Sequence, residues 1–215
     1  LQSVGGQTSL NLTKGSPTAD VQPAFSPDGE RIAFRSARDA GGLFVMGRTG
    51  EAPRRVAPEG FDPHWSPDNQ KLVYATASTA LPTSRGGLSV LRIVSVDTGA
   101  VTNLTDLDAM HPAWSPNGRF IAFWGIGRRM GGTNMSTARD LYVVPASGGE
   151  PWRVTDDPFV DWAPVWSPDS QKIAYFDNSL SVYWLDVKSG AAKKIASQPL
   201  ASISSLLLTG VLQST

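Results

Sequence analysis

His64 and His111 are the only imidazoles in 215 residues, and there is no cysteine. Any metal or nucleophile chemistry must therefore start from few groups. His111 stands just before Pro112, and Asp62 stands just before Pro63 at the matching place one repeat earlier. Gln22 and Ala163 hold that place in the other repeats. Histidine with carboxylate is a common ligand pair, but two donors do not make a metal site, so the position reads as the polar lining of a channel. His64, next to Trp65, reads as a packing residue. The run Asp156-Asp157-Pro158-Phe159-Val160-Asp161 would attract a cation but lacks the alternating spacing of a calcium loop. Arg128, Arg129 and Arg139 carry guanidinium forks suited to a carboxylate or an acidic peptide.

No motif for covalent or phosphoryl chemistry accompanies them. There is no G-x-S-x-G elbow, and neither a P-loop nor H-E-x-x-H occurs. Gly125-Ile126-Gly127-Arg128-Arg129-Met130-Gly131 is glycine-rich, but its spacing does not fit a dinucleotide fingerprint and no helix follows it. The sequence implies no cofactor.

The elements that position these residues are written in a phrase that occurs four times. Its first copy is Pro23-Ala24-Phe25-Ser26-Pro27-Asp28-Gly29, followed by the apolar run Ile32-Ala33-Phe34. The others carry Trp65-Ser66-Pro67-Asp68-Asn69, Trp114-Ser115-Pro116-Asn117-Gly118 and Trp166-Ser167-Pro168-Asp169-Ser170. Proline presets the second place of a type I turn, serine bonds the backbone ahead of it, and Asp or Asn suits the third place. Gly29, Asn69 and Gly118 suit the left-handed residue that follows, and Ser170 suits it less well. Each phrase is thus a β-hairpin whose second strand is apolar enough to be covered on both faces. Trp65, Trp114 and Trp166, with Phe25, are expected to fill the core between repeats.

A third strand and a glycine-containing turn complete each unit, as in Leu141-Tyr142-Val143-Val144 followed by Gly148-Gly149. The phrase serine returns after 40, 49 and 52 residues. Four-stranded repeats of that length are propeller blades. The reading divides the chain into an orphan outer strand in 1–13, blades at 14–57, 58–106, 107–156 and 157–196, and an extension or linker at 197–215. Length varies between the second and third strands, at residues 75–88 and 125–140. Because connections alternate sides in an up-and-down blade, the Ser-Pro and glycine turns share one side. The variable loops and inter-blade links share the other, which is the expected binding face. Arg85, Arg128, Arg129, Arg139, Asp161 and His111 are its candidate binding residues.

Lys+Arg and Asp+Glu both number 19, so the net charge is zero, against a nucleic-acid partner. No apolar stretch approaches the ~20 residues of a membrane helix. The chain begins at Leu1 and reads as a processed or excised piece.

The phrase W-S-P-D/N-G with I-A-F, followed by L-Y-V and G-G-E-x-x-x-x-T, resembles the TolB-type, WD40-like propeller repeat called PD40. The resemblance covers roughly residues 5–196. It implies an all-β propeller that acts as a non-catalytic scaffold for a protein or peptide, in a periplasmic or other extracytoplasmic bacterial setting, with the cytoplasm left open. Two alternatives follow from the same family: the gating propeller of a prolyl-oligopeptidase-like serine peptidase, and the sensor domain of a kinase or transcription regulator. Such propellers have six or seven blades. Four blades and one strand imply a partial or open ring, read as a fragment of a six- to seven-bladed propeller, whose open edges are a hazard for self-association.

Overall fold

The computed structural model describes residues 9–79, 87–127 and 139–197. Among the described residues, sixteen strands form four antiparallel four-stranded sheets, each in simple chain order. The first blade holds β1 (Asp20–Phe25), β2 (Arg31–Ser36), β3 (Gly42–Gly47) and β4 (Arg54–Ala57); the second holds β5 (Phe61–Trp65), β6 (Lys71–Ala75), β7 (Leu91–Ser95) and β8 (Val101–Asn103). The third holds β9 (Met110–Trp114), β10 (Phe120–Gly125), β11 (Asp140–Pro145) and β12 (Trp152–Arg153), and the fourth β13 (Trp162–Trp166), β14 (Lys172–Phe176), β15 (Ser181–Asp186) and β16 (Ala192–Ser197). The helical content of the described residues is one 3-10 turn at Arg38–Ala40. The inner strands β1, β5, β9 and β13 pack against one another in sequence, so the blades follow an arc.

Each Ser-Pro turn is held by one repeated set of bonds. In the second blade Ser66 Oγ donates to Asp68 Oδ1 at 2.6 Å and receives the Lys71 N–H at 2.9 Å, while Gln70 N–H donates to the same carboxylate oxygen at 3.0 Å. Ser26 with Asp28, Ser115 with Asn117 and Ser167 with Asp169 repeat the pattern. The serine donation holds Asp28, Asp68 and Asp169 below the usual carboxylate range. All four serines are buried, where an unmade hydrogen bond would be costly.

Gly29, Asn69, Gly118 and Ser170 all adopt positive φ, at 73°, 62°, 75° and 59°. Ser170 therefore takes the left-handed place despite its side chain. The two non-glycine residues use theirs between blades. Asn69 Oδ1 accepts from Asp28 N at 3.2 Å, and Ser170 Oγ accepts from Asn117 N at 3.1 Å.

Three apolar cores lie between successive blades. The phrase tryptophans enter them. Trp65 donates its indole N–H to Ala24 O at 3.0 Å, and Trp166 to Ala113 O at 2.9 Å, each crossing to the blade before. Trp114 instead donates to Gly118 O within its own turn. Its backbone N–H reaches the preceding blade, donating to His64 Nδ1 at 3.2 Å. Burial lowers the His64 pKa, which keeps the ring neutral and able to accept. Phe25 departs from the expected core role. It is 41% exposed, because no blade precedes it among the described residues.

The N-terminal segment also differs from its expected form. Residues 9–13 contain no strand. Asn11 Oδ1 accepts from Thr13 N at 3.0 Å, and Ser16 N bonds Thr13 O at 2.8 Å, which curls the chain into turns. Leu12 packs there on Ile32, Phe34, Phe44 and Met46, the face of the first blade that points away from the second. Arg38 lies over Phe34 and Phe44, at 5.3 and 5.5 Å from the ring centroids. Leu12 and Arg38 thus cover part of that end of the arc.

Candidate functional site

The strand order puts the links between blades and the β2–β3, β6–β7, β10–β11 and β14–β15 connections on one side. On that side, at the mouth of each inner strand, the residue before the phrase proline has positive φ: Gln22 at 54°, Asp62 at 51°, His111 at 45° and Ala163 at 53°. Each lies in a bulge where the inner-strand register shifts. Left-handed backbone is uncommon for non-glycine residues and costs of order 1 kcal/mol or more. The bulge also leaves the residue outside the ladder and re-aims its side chain.

Three of these four side chains meet. Gln22 Nε2 donates to Asp62 Oδ1 at 2.5 Å, and Gln22 Oε1 accepts from Asp62 N at 3.1 Å, so one carboxamide clasps the first blade to the second. His111 Nε2 lies 3.3 Å from Asp62 Oδ2 and joins the third blade to the second. Trp124 Nε1 donates to His111 Nδ1 at 2.8 Å, which fixes the tautomer with the proton on Nε2, facing Asp62. Ser78 Oγ also donates to Asp62 Oδ2, at 3.3 Å. Burial pushes the Asp62 carboxyl above its ordinary range, while His111, Ser78 and Gln22 pull it back. Ala163 adds no polar group, so the chain of bonds stops at the third blade.

These residues border a depression of about 360 Å³, lined also by Val21, Arg35, Phe61 and Thr79. Arg35 sits opposite Val21 in the β1–β2 register. Its Nη1 donates to Gly60 O at 3.0 Å, and its guanidinium lies 3.9 Å from the centroid of the Phe61 ring. Gly60 has φ of 131°, and a Cβ there would sit 2.7 Å from the Tyr74 ring and 2.8 Å from Leu43 Cδ1. Only glycine lets this carbonyl reach Arg35. Among the described residues no group of three or more His, Cys, Asp or Glu side chains is placed to hold a metal ion.

The six candidate residues divide accordingly. His111 belongs to this cluster, with Asp62, its counterpart one repeat earlier. Arg139 and Asp161 lie together elsewhere, where the third blade passes to the fourth. Asp161 N donates to Arg139 O at 2.8 Å, beside a parallel bridge between Arg139 and Val160. Asp161 is 0% exposed, and neither carboxylate oxygen has a hydrogen-bond partner among the described residues. Burial raises its pKa to about 7, the neighbouring charges of Asp157, Asp140 and Asp177 adding to the rise and Thr155 opposing it. Thr155 is near enough to exert that pull without meeting hydrogen-bond geometry. Asp161 is thus a buried acid, not a surface ligand. Arg85, Arg128 and Arg129 lie outside the described residues. Gln22, Ser78 and Arg35 complete the cluster and were not singled out as candidate residues. The signal for Gln22 was its place before a phrase proline; Arg35 and Ser78 carry no motif.

The fold is a TolB-like β-propeller fold, here four blades in an open arc. It superposes on an Agrobacterium tumefaciens structure assigned to TolB with a TM-score of 0.67, at 22% identity, over 80% of this chain and 63% of that one. It matches TolB from Acinetobacter baumannii at 0.65 and 18% identity, over 86% and 45% of the two chains. An oligogalacturonate lyase from Vibrio parahaemolyticus shares the fold at 0.64 and 16% identity, over 87% and 56%. Among curated sequences, 114 residues are 32% identical to an uncharacterized peptidase of Bacillus subtilis, covering 52% of this chain and 16% of the peptidase. Another 24% match, to an uncharacterized Agrobacterium fabrum protein, covers 74% of this chain and 51% of that protein. No protein-family model matches the chain.

Proposed function

We propose that the chain is a non-catalytic propeller scaffold that holds a protein or peptide partner on its loop face, centred on the Gln22–Asp62–His111 cluster. The observation that carries the reading is the concentration there of left-handed residues and of polar side chains fixed across three blades. A rigid site of this kind loses little entropy when a ligand docks. The TolB neighbours and the absence of a catalytic motif in this sequence support the scaffold reading, although the same fold also serves a lyase, and the repeat's resemblance to TolB supports an extracytoplasmic setting. Among the described residues no helix is long and apolar enough to cross a membrane.

Selection of peptides from a display library tests the reading. Val21 is 46% exposed at the edge of the depression, so Val21→Trp obstructs the site without removing a core contact or adding charge. Selected peptides should bind this variant at least ~10-fold more weakly, equivalent to about 1.4 kcal/mol. An exposed turn-face variant, Glu51→Ala, should leave binding unchanged. Peptides sensitive to Glu51→Ala and indifferent to Val21→Trp would overturn the assignment.

The match to the Bacillus subtilis peptidase favours a second reading, in which this propeller is one domain of a peptidase. The coding sequence beyond residue 215 separates the two. A Gly-x-Ser-x-Gly elbow there, with hydrolysis of a chromogenic peptide by the longer chain, would favour the peptidase.

A further inference from the structure

The geometry points to Arg35 as a carboxylate-binding subsite within the loop-face depression, so that the ligand of this face carries an acidic side chain or a free C-terminal carboxylate; the inference rests on the peptide-binding reading above. Arg35 is held on two sides, by the Gly60 carbonyl and by the Phe61 ring. A guanidinium so fixed has already lost much of its rotamer freedom, and its remaining N–H groups form a fork that matches a carboxylate.

Its charge has no anionic partner. Among the described residues no carboxylate lies within ion-pair distance of Arg35, whereas the nearby acids are engaged. Asp20 is bound by Arg38 at 2.7 Å, Glu59 pairs with Arg92, and Asp62 takes donors from Gln22, Ser78 and His111. Arg48 has Glu30, Arg54 has Asp97, and Arg153 has both Asp140 and Asp156; Arg31, Arg55 and Arg119 resemble Arg35 in having no carboxylate at ion-pair distance among the described residues, but of these four only Arg35 borders the depression. Arg35 thus combines a fixed cation with an open depression in front of it. Asp62 and Ser78, already bonded to each other, line the same wall with Thr79, and Val21 supplies an apolar edge. A carboxylate on Arg35 would lie beside these groups.

Three peptides read the inference by calorimetry on the full chain: N-acetyl-Ala-Glu-Ala-amide, its Gln counterpart, and N-acetyl-Ala-Ala-Ala with a free carboxyl end. The Glu peptide or the free-ended peptide should bind at least ~10-fold more tightly than the Gln peptide. Which of the two binds distinguishes a side-chain carboxylate from a chain end. The preference should weaken with added salt, disappear in Arg35→Gln, and survive in part in Arg35→Lys, which keeps the charge and loses the fork. The peptide comparison is made on the unaltered chain, so it decides the matter even where Arg35→Gln fails to fold. Equal binding of all three would overturn the carboxylate subsite and leave the peptide reading standing. Binding of none would overturn both.

Discussion

Asp161 shows what one buried group does to the pH dependence of the whole chain. Unfolded, it releases its proton near the ordinary value of 3.8; folded, it keeps the proton up to about 7. A folded pKa raised in this way makes the group's contribution full below the unfolded value. The contribution is lost progressively as the pH rises from about 4 to about 7, and is level above that. Asp161→Asn keeps the shape and removes the titration. Denaturant unfolding at pH 8 should find the variant more stable by roughly 1–4 kcal/mol, with a flatter pH profile between 4 and 7. A profile unchanged from the parent chain would contradict the assignment. At this scale the sequence was only partly legible. Asp62 and His111 share a repeat position, and that register brought them together. Arg35 gave no such signal, because an arginine between Phe34 and Ser36 looks like any solvated strand residue. What distinguishes it is the Gly60 carbonyl and the Phe61 ring, both from another blade. The left-handed backbone at Gln22, Asp62, His111 and Ala163 was hidden as well, since a residue before proline is ordinarily extended.

Among the elements, the Ser-Pro hairpin was readable almost to the atom, because its chemistry is local. Serine, Asp or Asn, and the backbone two to five residues on close the turn without help from the rest of the fold. The use of the left-handed residue as a tie to the neighbouring blade was not readable, because it joins residues 41 and 53 positions apart. Ser170 makes that tie at a φ of 59° that serine tolerates less well than asparagine. Ser170→Asn should keep the acceptor, as Asn69 does, and relieve the backbone. Thermal or chemical unfolding should show a gain of roughly 0.5–1 kcal/mol. A loss would mean that the Asn117 N–H depends on the serine geometry itself. The N-terminal strand is legible only in part: its match to a fourth strand begins at Gly5, outside the described residues, while in residues 9–13 Asn11 and the following Gly15 supply local turn chemistry.

For the molecule as a whole, four blades in an arc leave two ends. Leu12 and Arg38 cover the outer face of the first blade over Ile32, Phe34, Phe44 and Met46. Leu12→Asp should strip that cover, lower stability by about 1–3 kcal/mol and raise self-association seen by light scattering. Unchanged scattering and stability would show that the turn is not the cap. The number of blades and the identity of the loop face were both legible, since repeats and alternation need only strand order. The polar cluster of Gln22, Asp62, Ser78 and His111 was legible only in part, because it is assembled from three blades by contacts 40 to 56 positions apart in the chain. The central claim is that a peptide partner docks over this assembly. Amide hydrogen exchange with a bound, selected peptide tests it most directly. The account predicts protection confined to the loop-face segments around residues 21–22, 60–62, 78–79 and 111, and protection at the Ser-Pro turns instead would contradict it.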